Sequence, residues 1–288
     1  MKNVKTILMF VVISTLVFAG SVRTGTLGGA KYWADDYSNI SAFPNDLSDH
    51  AGTAYTTGTG FTSIFNHNGA TWAVSATDEV DDLVNVGWDN GDLGVSFTLN
   101  MRDGEDTNFN IGVGMPLAGG NFGFTTDMKN HSVNIRRDQS LWAWDTMVGG
   151  LTMNEAGTQN SDMVLDCDFY SNNGTLLHAL GFSYADNANV AGDASLDMST
   201  TFGVESAWTD WATVRLGYSK SYDLMNQAGN DDGSFNMGIG FNYGGFTLDM
   251  TLNTNILTDP VVFMTGNNSN GGGAGNTLGT LWEISYNW

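Results

Sequence analysis

Basic side chains are scarce in this chain. Ten Lys and Arg stand against 31 Asp and Glu, a formal net charge of -21. Such a chain has no basic surface to offer phosphates, which excludes nucleic acid as a partner. The single cysteine, Cys167, allows no intramolecular disulfide. It also lies far from any cleavage site, so a lipoprotein is excluded. Charged residues make up only 14% of the chain while aromatics reach 12%, a balance that excludes disorder. The 37 glycines have no period of three, so collagen is excluded too. His50, His67, His131 and His178 are scattered without the paired spacing of a zinc site, and no metal or cofactor is expected. No Gly-x-Ser-x-Gly elbow is present and His178 has no nucleophile beside it, so the chain does not read as an enzyme. Beyond the first twenty residues, no apolar run approaches the ~20 residues of a spanning helix.

What is present begins with a signal peptide over residues 1–19. Lys2 and Lys5 supply its positive start, Ile7 to Phe18 its apolar stretch, and Val17-Phe18-Ala19 its cleavage region. From about residue 53 onward, apolar and polar residues alternate with the period of a strand. Leu196, Met198, Phe202, Val204 and Trp208 fall on one face, with Asp197, Ser199, Thr201, Gly203 and Glu205 on the other. Phe235 to Tyr243, Phe246 to Leu252 and Leu93 to Met101 repeat the pattern. Short turns, among them Asn90-Gly91, Gly149-Gly150 and Gly244-Gly245, alternate with longer polar connections such as 130–139 and 257–275. That alternation, with strands of about 9–11 residues, is the pattern of an outer-membrane barrel. A soluble β-sandwich also alternates, but it rarely sustains strands this long over more than a dozen segments.

The final strand alternates Trp282, Ile284, Tyr286 and Trp288 with Glu283, Ser285 and Asn287. It resembles the C-terminal assembly signal of bacterial outer-membrane β-barrels, which the barrel-assembly machinery reads. The expected fold is therefore all-β: one transmembrane antiparallel barrel over 53–288, porin-like, of about 16 strands. The strands fall near 53–59, 60–66, 70–77, 83–89, 92–102, 107–117, 120–129, 140–148, 151–157, 161–171, 175–185, 194–206, 212–224, 233–243, 246–256 and 276–288. Loss of one hairpin would leave 14. Residues 20–52 do not alternate. Their Leu27-Gly28-Gly29-Ala30, Ala34-Asp35-Asp36 and Phe43-Pro44-Asn45-Asp46 resemble the start of the fatty-acid-transporter-like outer-membrane barrels, although the last element departs from that superfamily's Asn-Pro-Ala-Gly. The resemblance implies 14 strands and an N-terminal plug in the lumen; a periplasmic extension or short inward cap fits the same residues.

Alternation puts Asp92, Asp127, Asp166, Asp168, Asp197, Glu205, Asp223, Asp249 and Glu283 on the lumen face, with only Arg102, Lys129 and Arg215 to balance them. An acidic wall favours cations. Arg136 and Arg137, near Lys129 and His131, form the only basic cluster and fall in the connection before Leu141. Folded inward they would make a constriction across from the acidic wall; left outside they would meet lipopolysaccharide or solvent. Trp88, Trp142, Trp144, Tyr184, Trp208, Trp211, Tyr243, Trp282 and Trp288 fit aromatic girdles at two interfaces. Cys167 shares an outward face with Met163, Leu165 and Phe169. The function expected is passive diffusion of small hydrophilic solutes, cations preferred, through a bacterial outer-membrane channel in contact with outer-membrane lipids and lipopolysaccharide, with a homo-oligomer compatible with the fold. The alternatives are a plugged transporter for hydrophobic compounds and a non-conducting structural or surface barrel.

Overall fold

A computed structural model of the chain describes residues 22–29, 37–56, 60–77, 83–100, 108–138, 140, 142–155, 162–186, 194–225, 233–252, 254 and 281–288. The expected signal peptide, Arg102 and most of the longest connections lie outside the described residues. The strands are β1 (Thr53–Thr56), β2 (Gly60–His67), β3 (Ala70–Thr77), β4 (Leu83–Asp89), β5 (Gly94–Asn100), β6 (Asn108–Pro116), β7 (Gly120–Thr126) and β8 (His131–Arg137). They continue with β9 (Thr146–Met153), β10 (Met163–Asn172), β11 (Leu176–Asp186), β12 (Ser195–Thr209), β13 (Ala212–Asp223), β14 (Ser234–Tyr243), β15 (Phe246–Leu252) and β16 (Trp282–Asn287).

These sixteen strands form one antiparallel sheet in which neighbours in sequence are neighbours in space. The sheet closes on itself. β1 pairs with β16, Thr53 opposite Asn287 and Thr56 opposite Ile284. On its other side the Gly52 N–H donates to the Ile64 carbonyl of β2 at 3.0 Å. Closure leaves no edge strand to template aggregation. Gly52 fixes the seam: its φ is +85°, and a Cβ there would sit 2.9 Å from the Trp288 carbonyl oxygen. The Trp288 N–H in turn donates to the Gly52 carbonyl at 3.0 Å, which ties the C-terminal aromatic to the start of β1.

The strand total matches the expectation, but one hairpin is placed differently. Residues 131–137, expected within a loop, form β8, which pairs with β7 from Gly120–Arg137 to Thr126–His131. The expected strands 140–148 and 151–157 are a single strand, β9. The Gly149-Gly150 pair is not a turn but the middle of that strand, with Gly149 opposite Cys167 and Gly150 opposite Asp166. Two glycines in a strand mark close approach as readily as a turn, and here the Asn134 amide oxygen lies 3.2 Å from where a Gly150 Cβ would be. The parity of the connections is unchanged. One end of the barrel carries the tight links 68–69, 117–119, 173–175, 210–211 and 244–245, and the other carries 101–107, 187–194, 224–233 and 253–281.

The sheet's outer face is apolar. Val74, Phe97, Ile135, Leu165, Phe202, Leu216 and Phe235 are all exposed on it. Trp208 is 73% exposed, Tyr243 86% and Trp288 62%, all at the tight-turn end, where Trp211 stacks on Phe241 and Phe246 packs at a tilt against Tyr286. Phe169 and His178 pack against Trp144, and His178 lies flat on Phe202 with centroids 4.4 Å apart. Cys167 sits half-buried in this stretch, as its position beside Leu165 and Phe169 implies.

A polar lumen holding the N-terminal segment

Because side chains alternate across a strand, the residues opposite this apolar face point into the barrel. Register arranges them in rows. Thr62 lies opposite Ser75, Ser75 opposite Asn85, Asn85 opposite Thr98 and Thr98 opposite Asn110. This is a hydroxyl-and-amide row across β2 to β6. On the far wall Asn134 lies opposite Gly150, Gly150 opposite Asp166, Asp166 opposite Ser183, Ser183 opposite Asp197 and Asp197 opposite Asp223. Asp168 follows one inward position along, opposite Gly181. A cavity of about 390 Å³ opens against this wall, lined by Asp166, Asp168, Asp197, Ser183, Ser199 and Ser221 among others. Among its described lining residues none is basic.

The N-terminal segment packs onto the same inward face. It comprises a short helix, Val22–Thr26, and two 3-10 turns, Tyr37–Ser41 and Pro44–His50. Pro44–His50 lies over β3 to β6, and Val22–Thr26 over β13 to β15. Both beds are made of glycine. A Cβ on Gly114 would sit 2.9 Å from the Asn45 nitrogen and 2.9 Å from the Pro44 Cδ; one on Gly217 would lie 2.7 Å from the Leu27 Cα; and one on Gly203 3.1 Å from the Leu27 carbonyl oxygen. Leu27, Phe43 and Leu47 are fully buried between segment and wall. Phe43 and Leu27 cluster with Val148, Tyr170 and Leu177, and Leu47 with Ile64 and Ala73.

Ion pairs lock the docked segment. Arg136 grips Asp46 with both terminal nitrogens, at 2.5 Å and 3.1 Å, and its Nε pairs with Asp138 at 3.1 Å. Its guanidinium lies 5.1 Å from the Phe43 ring centroid, within cation–π range. Asn121 donates a further hydrogen bond to Asp46. Burial pushes the Asp46 carboxyl up from the ordinary carboxylate range, against the downward pull of Arg136, so its charge depends on that arginine. A second cluster holds the helix. Arg23 donates to both Glu205 oxygens, at 3.0 Å and 2.9 Å; Arg215 donates to Glu205 at 2.5 Å and to Asp249. The Val22 N–H and the Tyr37 hydroxyl donate to Glu283. Burial, with the Glu283 charge beside it, pushes the Tyr37 hydroxyl far up, so it stays a neutral donor. The Ser48 N–H donates to the fully buried Asp89 at 2.9 Å.

The residues expected to line the lumen therefore separate into groups. Asp166, Asp168, Asp197 and Asp223 form the far wall. Glu205, Arg215, Asp249 and Glu283 also face inward, but they are engaged by the N-terminal segment or by one another. Asp92, Asp127 and Lys129 sit in connections rather than on the wall. Asp92 is an exposed turn residue whose N–H donates to Asn90. Asp127 caps its own turn, accepting from the Lys129 and Asn130 N–H groups, and Lys129 meets Glu155 at 3.5 Å at the surface. Arg136 is neither a loop residue nor a free constriction charge: it is the inward end of β8, bound to Asp46. Arg137, next along, falls on the opposite face and is exposed. Trp282, Ile284, Tyr286 and Trp288 alternate as expected on the outer side of β16 and its end. Sequence reasoning missed Arg23, Asp46 and Asp89. The available signal was the run of glycines at inward positions of β5, β6, β12 and β13, since small residues on a wall that should carry polar side chains mean that something packs there.

No family model and no curated protein matches the chain. What the fold defines is a closed 16-strand antiparallel barrel with a polar interior, an apolar aromatic-bearing exterior and an N-terminal segment docked against the inner wall.

Proposed function

We propose that this barrel spans a bacterial outer membrane and conducts small hydrophilic solutes, cations in preference to anions, past an N-terminal segment that narrows its tight-turn half. The acidic row Asp166, Asp197 and Asp223, with Asp168 beside it, carries the reading. It lies on the side of the segment nearer the long connections, where a solute entering from outside would meet it first. A 16-strand barrel is wide enough for an aqueous lumen, and carboxylates facing that lumen raise the local cation concentration. The apolar outer face and the exposed tryptophans and tyrosines at its ends suit a bilayer core and its interfaces. Aromatic residues of β16 and Trp288 would then serve recognition by the barrel-assembly machinery. A plugged transporter for hydrophobic compounds draws support from the docked segment. The hydroxyl, amide and carboxylate lining favours hydrophilic cargo instead.

On this reading the tight turns face the periplasm and the 253–281 connection lies outside. An epitope inserted at Gly272 is expected to be labelled on intact cells, and the refolded full chain is expected to give discrete conductance steps in planar bilayers. Labelling only after the membrane is breached would invert the topology, and a silent bilayer would contradict the channel.

A further inference from the structure

Along one stretch of the inner wall the polar side chains are hydroxyls and amides alone. The neutral row Ser75, Asn85, Thr98 and Asn110 borders a cavity of about 470 Å³ in which, among the described lining residues, no side chain is charged. The floor of that cavity is the first 3-10 turn of the N-terminal segment, and its side is a pair of stacked rings: Tyr37 lies on Tyr55 with centroids 4.1 Å apart and planes 22° from parallel. We propose that this wall is a binding surface for a neutral polyhydroxylated solute of mono- or disaccharide size, an inference that rests on the channel reading only for how the solute arrives.

The chemistry is specific to hydroxyl-rich ligands. Each Asn side chain offers two N–H donors and one carbonyl acceptor, and each Ser or Thr hydroxyl is both donor and acceptor. A sugar hydroxyl also gives and takes, so it can satisfy such a row in either sense, whereas a carboxylate wall can only accept. Among the described residues, neither Asn85 nor Asn110 makes a side-chain hydrogen bond, unlike Asn121, which donates to Asp46. The register spaces the row at one side chain per strand, about 4.8 Å apart, a repeat that a pyranose ring spans with hydroxyls on both sides. The stacked tyrosines supply the flat apolar surface that the ring's C–H face requires. On the opposite wall the same inward positions hold Asp166 and Asp197.

Isothermal titration of sucrose into the detergent-solubilised full chain is expected to give a saturable isotherm, and sucrose is expected to reduce potassium current through the protein in bilayers. Asn85→Leu with Asn110→Leu should weaken sucrose about ten-fold, the loss of roughly one good hydrogen bond's free energy. Asn85→Thr with Asn110→Thr, which keeps hydroxyls on the row, should lose markedly less. Asp166→Asn with Asp197→Asn should leave sucrose affinity unchanged. No saturable binding by the unmodified chain would overturn the proposal, as would equal losses from the Leu and Thr pairs or a loss from the Asp pair alone. Sucrose binding by a protein that conducts no ions would uphold this site and sink the channel reading. Conduction without sucrose binding would do the reverse.

Discussion

Arg136→Gln is expected to release the Pro44–His50 turn from the wall and raise conductance, with a protease added at the tight-turn side now cleaving the segment in otherwise intact barrels. Asp46 and Arg136 are both largely shielded, at 6% and 11% side-chain exposure, so the glutamine would leave a buried carboxyl facing a neutral amide. Breaking such a pair by removing one partner costs roughly 3 kcal/mol or more, on the order of a hundred-fold in the docked population. Part of the loss is packing, because the Arg136 guanidinium also covers the Phe43 ring. Arg136→Lys keeps the charge but not the two-pronged grip, so it should fall between wild type and Gln. A variant whose segment stays protected and whose conductance is unchanged would show that the glycine bed and the buried Leu27, Phe43 and Leu47 hold the segment without the latch.

The second large effect concerns selectivity. Changing Asp166, Asp168 and Asp197 to Asn removes three neighbouring negative charges at nearly constant volume, so the pore should stay open at similar conductance in concentrated salt while losing most of its cation preference in dilute salt. The dependence on ionic strength follows from screening: the Debye length is about 30 Å at 0.01 M and about 3 Å at 1 M. Glu205 and Asp249 are poor substitutes for these three, because Arg215 binds both and Arg23 also neutralises Glu205. A triple variant as selective as wild type would move the selectivity-determining site elsewhere, with Asp223 and the acidic 224–233 connection next in line.

The barrel itself was legible because strand periodicity is local and repeats: every face assignment along β12, β14 and β15 follows from alternate residues, and the parity of tight turns orders the hairpins. The one misplaced hairpin arose where local cues conflict. His131–Arg137 alternates, with Ser132, Asn134 and Arg136 inward and Val133 and Ile135 outward, but the run is short and flanked by polar residues, so it reads as loop. Gly149-Gly150 carries the chemistry of a turn, yet its partners across the sheet, Asp166 and Cys167, show it in mid-strand. The lumen's far wall was legible for the same reason as the fold. Its partner surface was not. Asp46 meets Arg136 across 90 residues and Arg23 meets Glu205 across 182, and no period in the sequence encodes a contact between a non-repeating segment and a strand so distant. Only the inward glycines hinted at it, by marking where the wall had been cleared.

The reversal potential of the unmodified full chain in a potassium chloride gradient tests the central claim most directly. A sign corresponding to potassium preference, shrinking as both solutions are made more concentrated, is the predicted result. An anion preference, or a potential of zero in dilute salt, would contradict a lumen governed by Asp166, Asp168, Asp197 and Asp223.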